Sequence, residues 1–448
     1  MPDRRQFLRT VAVAVPAVAA GAGPARAQGP VPAGAIDGAE AGITPDLGTD
    51  QTAELQGAID TAAERRRALH LPAGEMITGE LTLRSGSRIL GAGPATRLRR
   101  AGTDPVLAAE AAPDILVGDL AVVADETGPG AGAGTLAAFT RCGGLELGAL
   151  HALGRARTAI ALFGCAGRVT GCVIDGAAIA IHSTDATGLE ITANTVENCA
   201  DNGILVWRSR PGEDGTIVTA NRIRRIGAAS GGSGENGNAI NLFRAGGVIV
   251  AHNRIEDCAY SAVRANSAAN AEIVNNSCTR LGEVALYAEF AFEGAVIAGN
   301  LVDDAASGIS ITNFNEGGRL AVCSGNLVRN LRFRDHFDRR GNGIGAEADT
   351  LITGNVVENA PGAGITLGWG AYLRNVLATG NIVRKCGVGI GVSVAPGAGP
   401  AVITGNLIAD PEGAAIQGFE REKAVGGDLL AGAPEVWRHL TISGNVLG

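Results

Sequence analysis

The sequence predicts an all-β chain folded as a parallel β-helix, a solenoid in which single-stranded coils stack along one axis. A returning phrase is the first sign: Ile191-Thr192-Ala193-Asn194, Val218-Thr219-Ala220-Asn221, Ile297-Ala298-Gly299-Asn300, Ile352-Thr353-Gly354-Asn355 and Ile403-Thr404-Gly405-Asn406. With looser copies its asparagine falls at 194, 221, 253, 276, 300, 326, 355, 381, 406 and 445, mostly 23 to 29 residues apart. A period of that size marks a unit that buries its apolar face only by stacking on its neighbours. The second sign is alternation. Each coil holds another strand after its asparagine, and aligned strands give an inward column of Ile204, Ile240, Val263, Val284, Ile309, Ile344, Ile365, Ile390 and Ile416. Two residues on come Val206, Leu242, Ala265, Leu286, Ile311, Ala346, Leu367, Val392 and Gly418. β-branched aliphatics suit a pleated, buried strand. A period of two excludes helical repeats, and the leucine framework of leucine-rich repeats is absent.

The recurring asparagine is expected at a tight turn, itself in left-handed geometry, with its amide bonded to the next coil as a rung of a ladder. Composition agrees. The 448 residues include 67 glycines and 4% aromatics, as tight turns and a narrow aliphatic interior require. The net charge is −8; Arg4, Arg5, Arg9 and Arg26 against Asp3 give the leader +3, so the remainder carries about −11. That balance excludes general nucleic-acid binding, which needs basic surface to displace counterions. Of the eight cysteines, Cys199, Cys258 and Cys386 each lie five residues after a ladder asparagine, and Cys172 occupies an asparagine position. Cys199 and Cys258 stand two coils apart, about 9.6 Å, beyond the roughly 7 Å Cα limit of a bridge. Free, buried thiols are expected.

In chain order, residues 1–27 carry Asp3-Arg4-Arg5-Gln6-Phe7-Leu8-Arg9, an apolar run from Val11 to Ala22, then Ala25-Arg26-Ala27. This resembles a twin-arginine export signal with cleavage after Ala27, and the run is too short to span a bilayer. Residues 28–48, rich in Gly, Pro and Ala, read as a linker. Residues 49–75 read as a cap: a helix from Asp50 to Leu69, with Asp50 as N-cap, Leu55, Ile59 and Ala62 on one face, and Pro72 as terminator. Residues 76–448 read as the solenoid, with a C-terminal cover insert near 419–440.

The turn Leu71-Pro72-Ala73-Gly74 leading into Leu81-Thr82-Leu83 resembles the first coil of pectate-lyase-like right-handed parallel β-helices. Leader, helical cap and ladder coils together are similar to the twin-arginine-translocated repeat proteins with that fold. The resemblance implies export to the periplasm or outside, passage through the twin-arginine machinery, and a right-handed helix. It assigns no reaction. The Asp-Pro-His of mannuronan epimerases and the Gly-His-Gly of polygalacturonases are missing; Asp303-Asp304 matches the latter's paired aspartates without the companion motifs.

Function is sought on the outward residues between the inward ones. The first outward column reads Leu205, Asn241, Arg264, Ala285, Ser310, Gly345, Thr366, Gly391 and Gln417. The second reads Trp207, Phe243, Asn266, Tyr287, Thr312, Glu347, Gly368, Ser393 and Phe419. The first half is decorated, and the later half is small and plain. Aromatics beside arginines suit an anionic polysaccharide, since rings stack on pyranose faces and guanidinium forks grip carboxylates. Trp207, Asn241, Phe243, Arg244, Asn266 and Tyr287 are therefore the candidate binding residues; plain stacking on an exposed sheet is the alternative.

Two coils carry insertions, Gly227–Gly237 and Arg332–Arg340, expected on one edge about 19 Å apart and walling a cleft. For a lyase or epimerase, Arg264 or His336 would take the proton α to a uronate carboxyl. For a hydrolase, Glu289 and Glu347 would be acid and base at roughly 10 Å, the wide end of the inverting range. Asp335, His336 and Asp338 offer metal donors in one loop with no matched partner; no cofactor is implied, and calcium stays open. A glycan-active enzyme, a non-catalytic carbohydrate-binding protein and a structural periplasmic protein remain, each expected as a monomer.

Overall fold

The structure, a computed structural model, describes residues 31–125, 127, 132–232, 234–333 and 341–448. The export signal with Arg4 and Arg5, and His336 with Asp335 and Asp338, lie outside the described residues. Three parallel sheets run the length of the solenoid, and each coil gives one strand to each. In the first sheet the inward residues stack without a break from Ile36 through Leu69, Ile89, Val117 and Leu147 to Ile352, Ala378, Ile403 and Ile442. The second sheet follows the ladder asparagine, and the third follows the second. Only one α-helix is present among the described residues, Thr52–Glu64. Its Leu55, Ala58, Ile59 and Ala62 join the continuous core and seal the first coil.

The ladder forms as predicted. From Asn194 to Asn406 each asparagine is at most 2% exposed, and its backbone N–H and Nδ2 both donate to the Oδ1 of the next. At Asn300 those bonds reach Asn326 at 2.9 and 3.0 Å, and Nδ2 also donates to the carbonyl of Ile273 in the preceding coil. The left-handed residue is not the asparagine, however, but its predecessor: Ala193, Ala220, His252, Asn275, then Gly299, Gly325, Gly354, Gly380 and Gly405. The asparagine must point inward to reach its neighbours, so the turn is made one residue earlier. Glycine takes that turn without strain. A second left-handed residue follows four places after each asparagine, as at Asn198, Asp257, Asn330 and Asn359.

Two expectations need correction. The helix is shorter than Asp50–Leu69, because Arg66 turns left-handed (φ 52°) and Leu69–His70 is already a strand. Asp50 stands just outside the N-cap Gln51, yet its Oδ1 still accepts the Thr52 N–H at 2.8 Å. Residues 31–48 are also more than a linker: Ile36–Asp37 pairs with Leu69–His70, and Ile43 is buried. At the far end, Lys423–Asp428 folds back antiparallel on Ile416–Glu420, and Asp428 accepts the N–H groups of Ala415 and Ile416.

The third sheet corrects the alignment. Val263 pairs with Leu286, not Val284, and Leu286 pairs with Ile309. Between Leu281 and Val284 the register with the next coil shifts by one residue. Val284 keeps the apolar alternation two residues ahead of the buried Leu286, and pattern matching took the earlier residue. Tyr287 therefore moves into the first outward column beside Arg264, and Glu289 into the second beside Asn266. All eight cysteines are free and buried, and Cys199, Ile226 and Cys258 stack as expected. Burial pushes the Cys199, Cys278 and Cys323 thiols up to about 12, so they are inert core groups.

Outside, the two halves differ beside the ladder. The outward position of the first sheet reads Arg168, Glu190, Ile217, Ile249 and Glu272, then Val296, Val322, Leu351, Leu377 and Val402. That of the second reads Thr195, Arg222, Arg254 and Ser277, then Leu301, Leu327, Val356, Ile382 and Leu407.

Candidate functional site

The decorated stretch of the third sheet is filled by its own side chains. Trp207 sits edge-on to His182, with centroids 4.8 Å apart, and to Phe243 at 5.8 Å. The Arg244 guanidinium lies 4.5 Å over the Phe243 ring and donates to the Ser209 carbonyl. Burial lowers the His182 pKa, with Arg157 adding to it, so this ring packs as a neutral aromatic. Asn241, in register between Leu205 and Arg264, is itself buried. These residues meet as expected, but on one another.

Arg264 is equally committed. Its Nε and Nη2 donate to the two oxygens of Glu289 at 2.6 and 2.9 Å, and Nη1 to Glu283 at 3.2 Å. Asn266 donates to Glu289 as well, and the Tyr287 ring lies 5.1 Å from the guanidinium. Burial alone would lower the Arg264 pKa, but the bonds and charge of Glu289 reverse it and hold the cation. Burial also pushes the Glu289 carboxyl up against the pull of Arg264. The glycine-rich insertion closes over this cluster. Gly234 has φ +139°, and an added Cβ there would overlap the Arg264 guanidinium. The loop is tied down by Ser230, whose N–H and hydroxyl donate to Asp201, and by the Tyr260 hydroxyl donating to the Gly232 carbonyl.

The open surface lies downstream, where the outward residues are small. A groove of about 1040 Å³ runs over Ser310, Gly345, Thr366 and Gly391. Tyr287, Tyr260 and Glu283 wall one end; Trp369, Phe419, Arg421 and Glu422 wall the other. From Tyr287 to the strand of Phe419 is five coil spacings, about 24 Å. Glu347 faces this groove, only 9% exposed, and its Oε2 accepts the Phe314 N–H at 2.8 Å. Burial raises the Tyr287 phenol, with the Glu289 charge adding to it. Glu289 and Glu347 are two coils apart, as expected, and the corrected register puts them in one column, but Glu289 is 2% exposed beneath Arg264.

Sequence reasoning missed Tyr260, Glu283, Trp369, Arg421 and Glu422, which come from loops, the bulge and the C-terminal fold-back. A signal for the floor was present: small outward residues in succession leave volume. Asp303 and Asp304 stand elsewhere, paired with Arg329 and Arg332 on the surface. Among the described residues no group of three His, Cys, Asp or Glu is placed to hold a metal ion.

Comparison with known proteins bears on the fold. Residues 158–317 match the family model described as a right handed beta helix region. No curated protein matches the chain in sequence. Among solved structures, the chain is similar to the catalytic unit of a thermostable α-1,3-glucanase from Streptomyces thermodiastaticus, at 14% identity and TM-score 0.49, covering 94% of this chain and 70% of that one. It is similar to tailspike protein 2 of the Escherichia coli O157:H7 bacteriophage CAB120, at 13% identity and TM-score 0.47, over 72% of this chain and 43% of that one. A mannuronic acid specific polysaccharide lyase from human gut microbiota aligns at 13% identity and TM-score 0.45, over 79% and 85%. The chain thus spans less than half of the tailspike's length. The family match and the parallel pairing of successive coils describe this protein as a right-handed parallel β-helix.

Proposed function

We propose that this protein binds a linear glycan in the groove of its third sheet. The observation that carries the reading is a floor of Ser310, Gly345, Thr366 and Gly391 bracketed by rings at both ends. Such a trough admits a row of pyranose units, and rings stack on sugar faces. Charge refines the anionic polymer expected from sequence. The described lining carries Glu283, Glu347 and Glu422 against Arg421, while Arg264 is spent on Glu289 and Glu283. An uncharged chain suits those walls better than a polyuronate.

Non-catalytic binding is favoured over bond cleavage. Glu283 and Glu347 lie two coils apart, and Glu347 stands in the column of Glu289, six residues along the strand from Glu283, so their separation exceeds the roughly 6.5–9.5 Å of an inverting pair. Elimination or epimerisation would need a free base, and Arg264 is held as a cation by two carboxylates. Calorimetric titration with neutral and uronate oligosaccharides tests the reading. Binding of the neutral set, lost on Thr366→Trp, supports it. Binding confined to uronates, or release of unsaturated uronate absorbance, overturns it. From the leader we also infer export to the periplasm or beyond, in which case the secreted chain begins at Gln28; an intact Met1 on the cell-envelope fraction overturns that.

A further inference from the structure

The aliphatic stripes beside the asparagine ladder lie at the corner opposite the third sheet, so the groove does not use them. We propose that they form half of an interface between two copies of this chain, related by a two-fold axis that sets the solenoids antiparallel. In a sheet with one buried face the outward positions are ordinarily polar. Here, from Val296 onward, each coil presents one aliphatic residue on either side of the ladder turn, and Val296, Val322, Ile382 and Leu407 are each 38–40% exposed. Upstream the column of Val296 still holds Ile217 and Ile249, but the other side of the turn holds Arg222 and Arg254. The face is therefore apolar on both sides of the turn only from Val296 and Leu301 onward, and core packing does not account for it.

The rims identify the occupant. One reads Asp303, Arg329, Glu358, Arg384 in successive coils. Along the other, ion pairs link Glu293, Arg319, Asp349 and Arg374 from coil to coil, with Asp349 one residue out of the register that Ala348 shares with Arg374. Both alternate acid and base one coil at a time. A row of that kind meets its own reversed copy with opposite charges at every step, which is what an isologous contact requires. The rims sum to zero charge, so they offer no attraction to an anionic membrane surface. The face spans about 24 Å along the axis and about 30 Å from rim to rim around the corner. Unrolled around the corner that is roughly 700 Å², an upper bound on what one copy gives, against the ~800 Å² each partner gives to a standard interface.

Sedimentation of the full chain over a range of micromolar concentrations tests this. The wild type is expected to show a concentration-dependent monomer–dimer equilibrium. Ile382→Arg, a surface change with unaltered circular dichroism, is expected to remove the dimer, while Ile217→Arg upstream leaves it. Arg329→Glu weakens association, and adding Glu358→Arg restores it, because the two positions face each other across the axis. A wild type that stays monomeric throughout, a dimer that survives Ile382→Arg, or a trimer or larger closed form would each overturn the proposal.

Discussion

The upstream and downstream stretches of the third sheet share one backbone and differ in what stands on it. Upstream, Trp207, Phe243, Arg264 and Glu289 are large or charged, and each finds its partner on the adjacent coil. Stacking at about 4.8 Å brings like positions into contact, so bulky outward residues satisfy one another and exclude a ligand. Downstream, Ser310, Gly345, Thr366 and Gly391 are too short to do so, and the surface sinks into a groove. On a solenoid, the chemistry-rich face is self-satisfied, and the plain face between bulky ends is the one with room.

Changes aimed at one stretch should separate stability from binding. The largest effect is expected from Arg264→Ala, which strands the buried Glu289; truncating one member of such a pair costs about 3–5 kcal/mol. Denaturant unfolding should show that loss, and Arg264→Met with Glu289→Leu should recover most of it. Next comes Asn300→Ala, which leaves the N–H and Nδ2 of Asn276 without their acceptor, a loss of about 2–4 kcal/mol. Both leave the groove floor in place. Thr366→Trp does the reverse: it should lower glycan affinity on the order of tenfold or more while moving stability by about 1 kcal/mol or less.

The smallest effect concerns acid, and it should be alike in both halves. Hydrogen bonds from Arg280 hold Asp257 below its ordinary value upstream, and those from Arg374 do so for Asp349 downstream. A depressed folded-state pKa stabilises in full above the unfolded value. That contribution is lost as pH falls through the folded-state value, so melting temperature should decline modestly below ~pH 4. A decline on raising the pH from neutral instead would show that other groups dominate.

Much of the fold was legible because period and alternation are local properties. Ile240 above Val263, the ladder asparagines and the stacked Cys199, Ile226 and Cys258 all follow from counting residues. Counting failed at Val284, which satisfies the alternation as well as Leu286 does but stands two residues before it, and this displaced Tyr287 and Glu289 by one column. The candidate site was less legible. Whether Arg264 is free or bound depends on Glu283, which the bulge puts in reach, and on Gly234, brought over it by a loop. Trp369 and Arg421 reach the groove through the isolated Trp369–Tyr372 bridge and the C-terminal fold-back. Such loop placements have no periodic signature.

The most direct measurement is tryptophan fluorescence during titration with a neutral oligosaccharide, because Trp207 and Trp369 report on the two stretches separately. The account predicts a saturable change that persists in Trp207→Phe and disappears in Trp369→Phe. A signal that follows Trp207 instead would place the ligand on the filled stretch and contradict it.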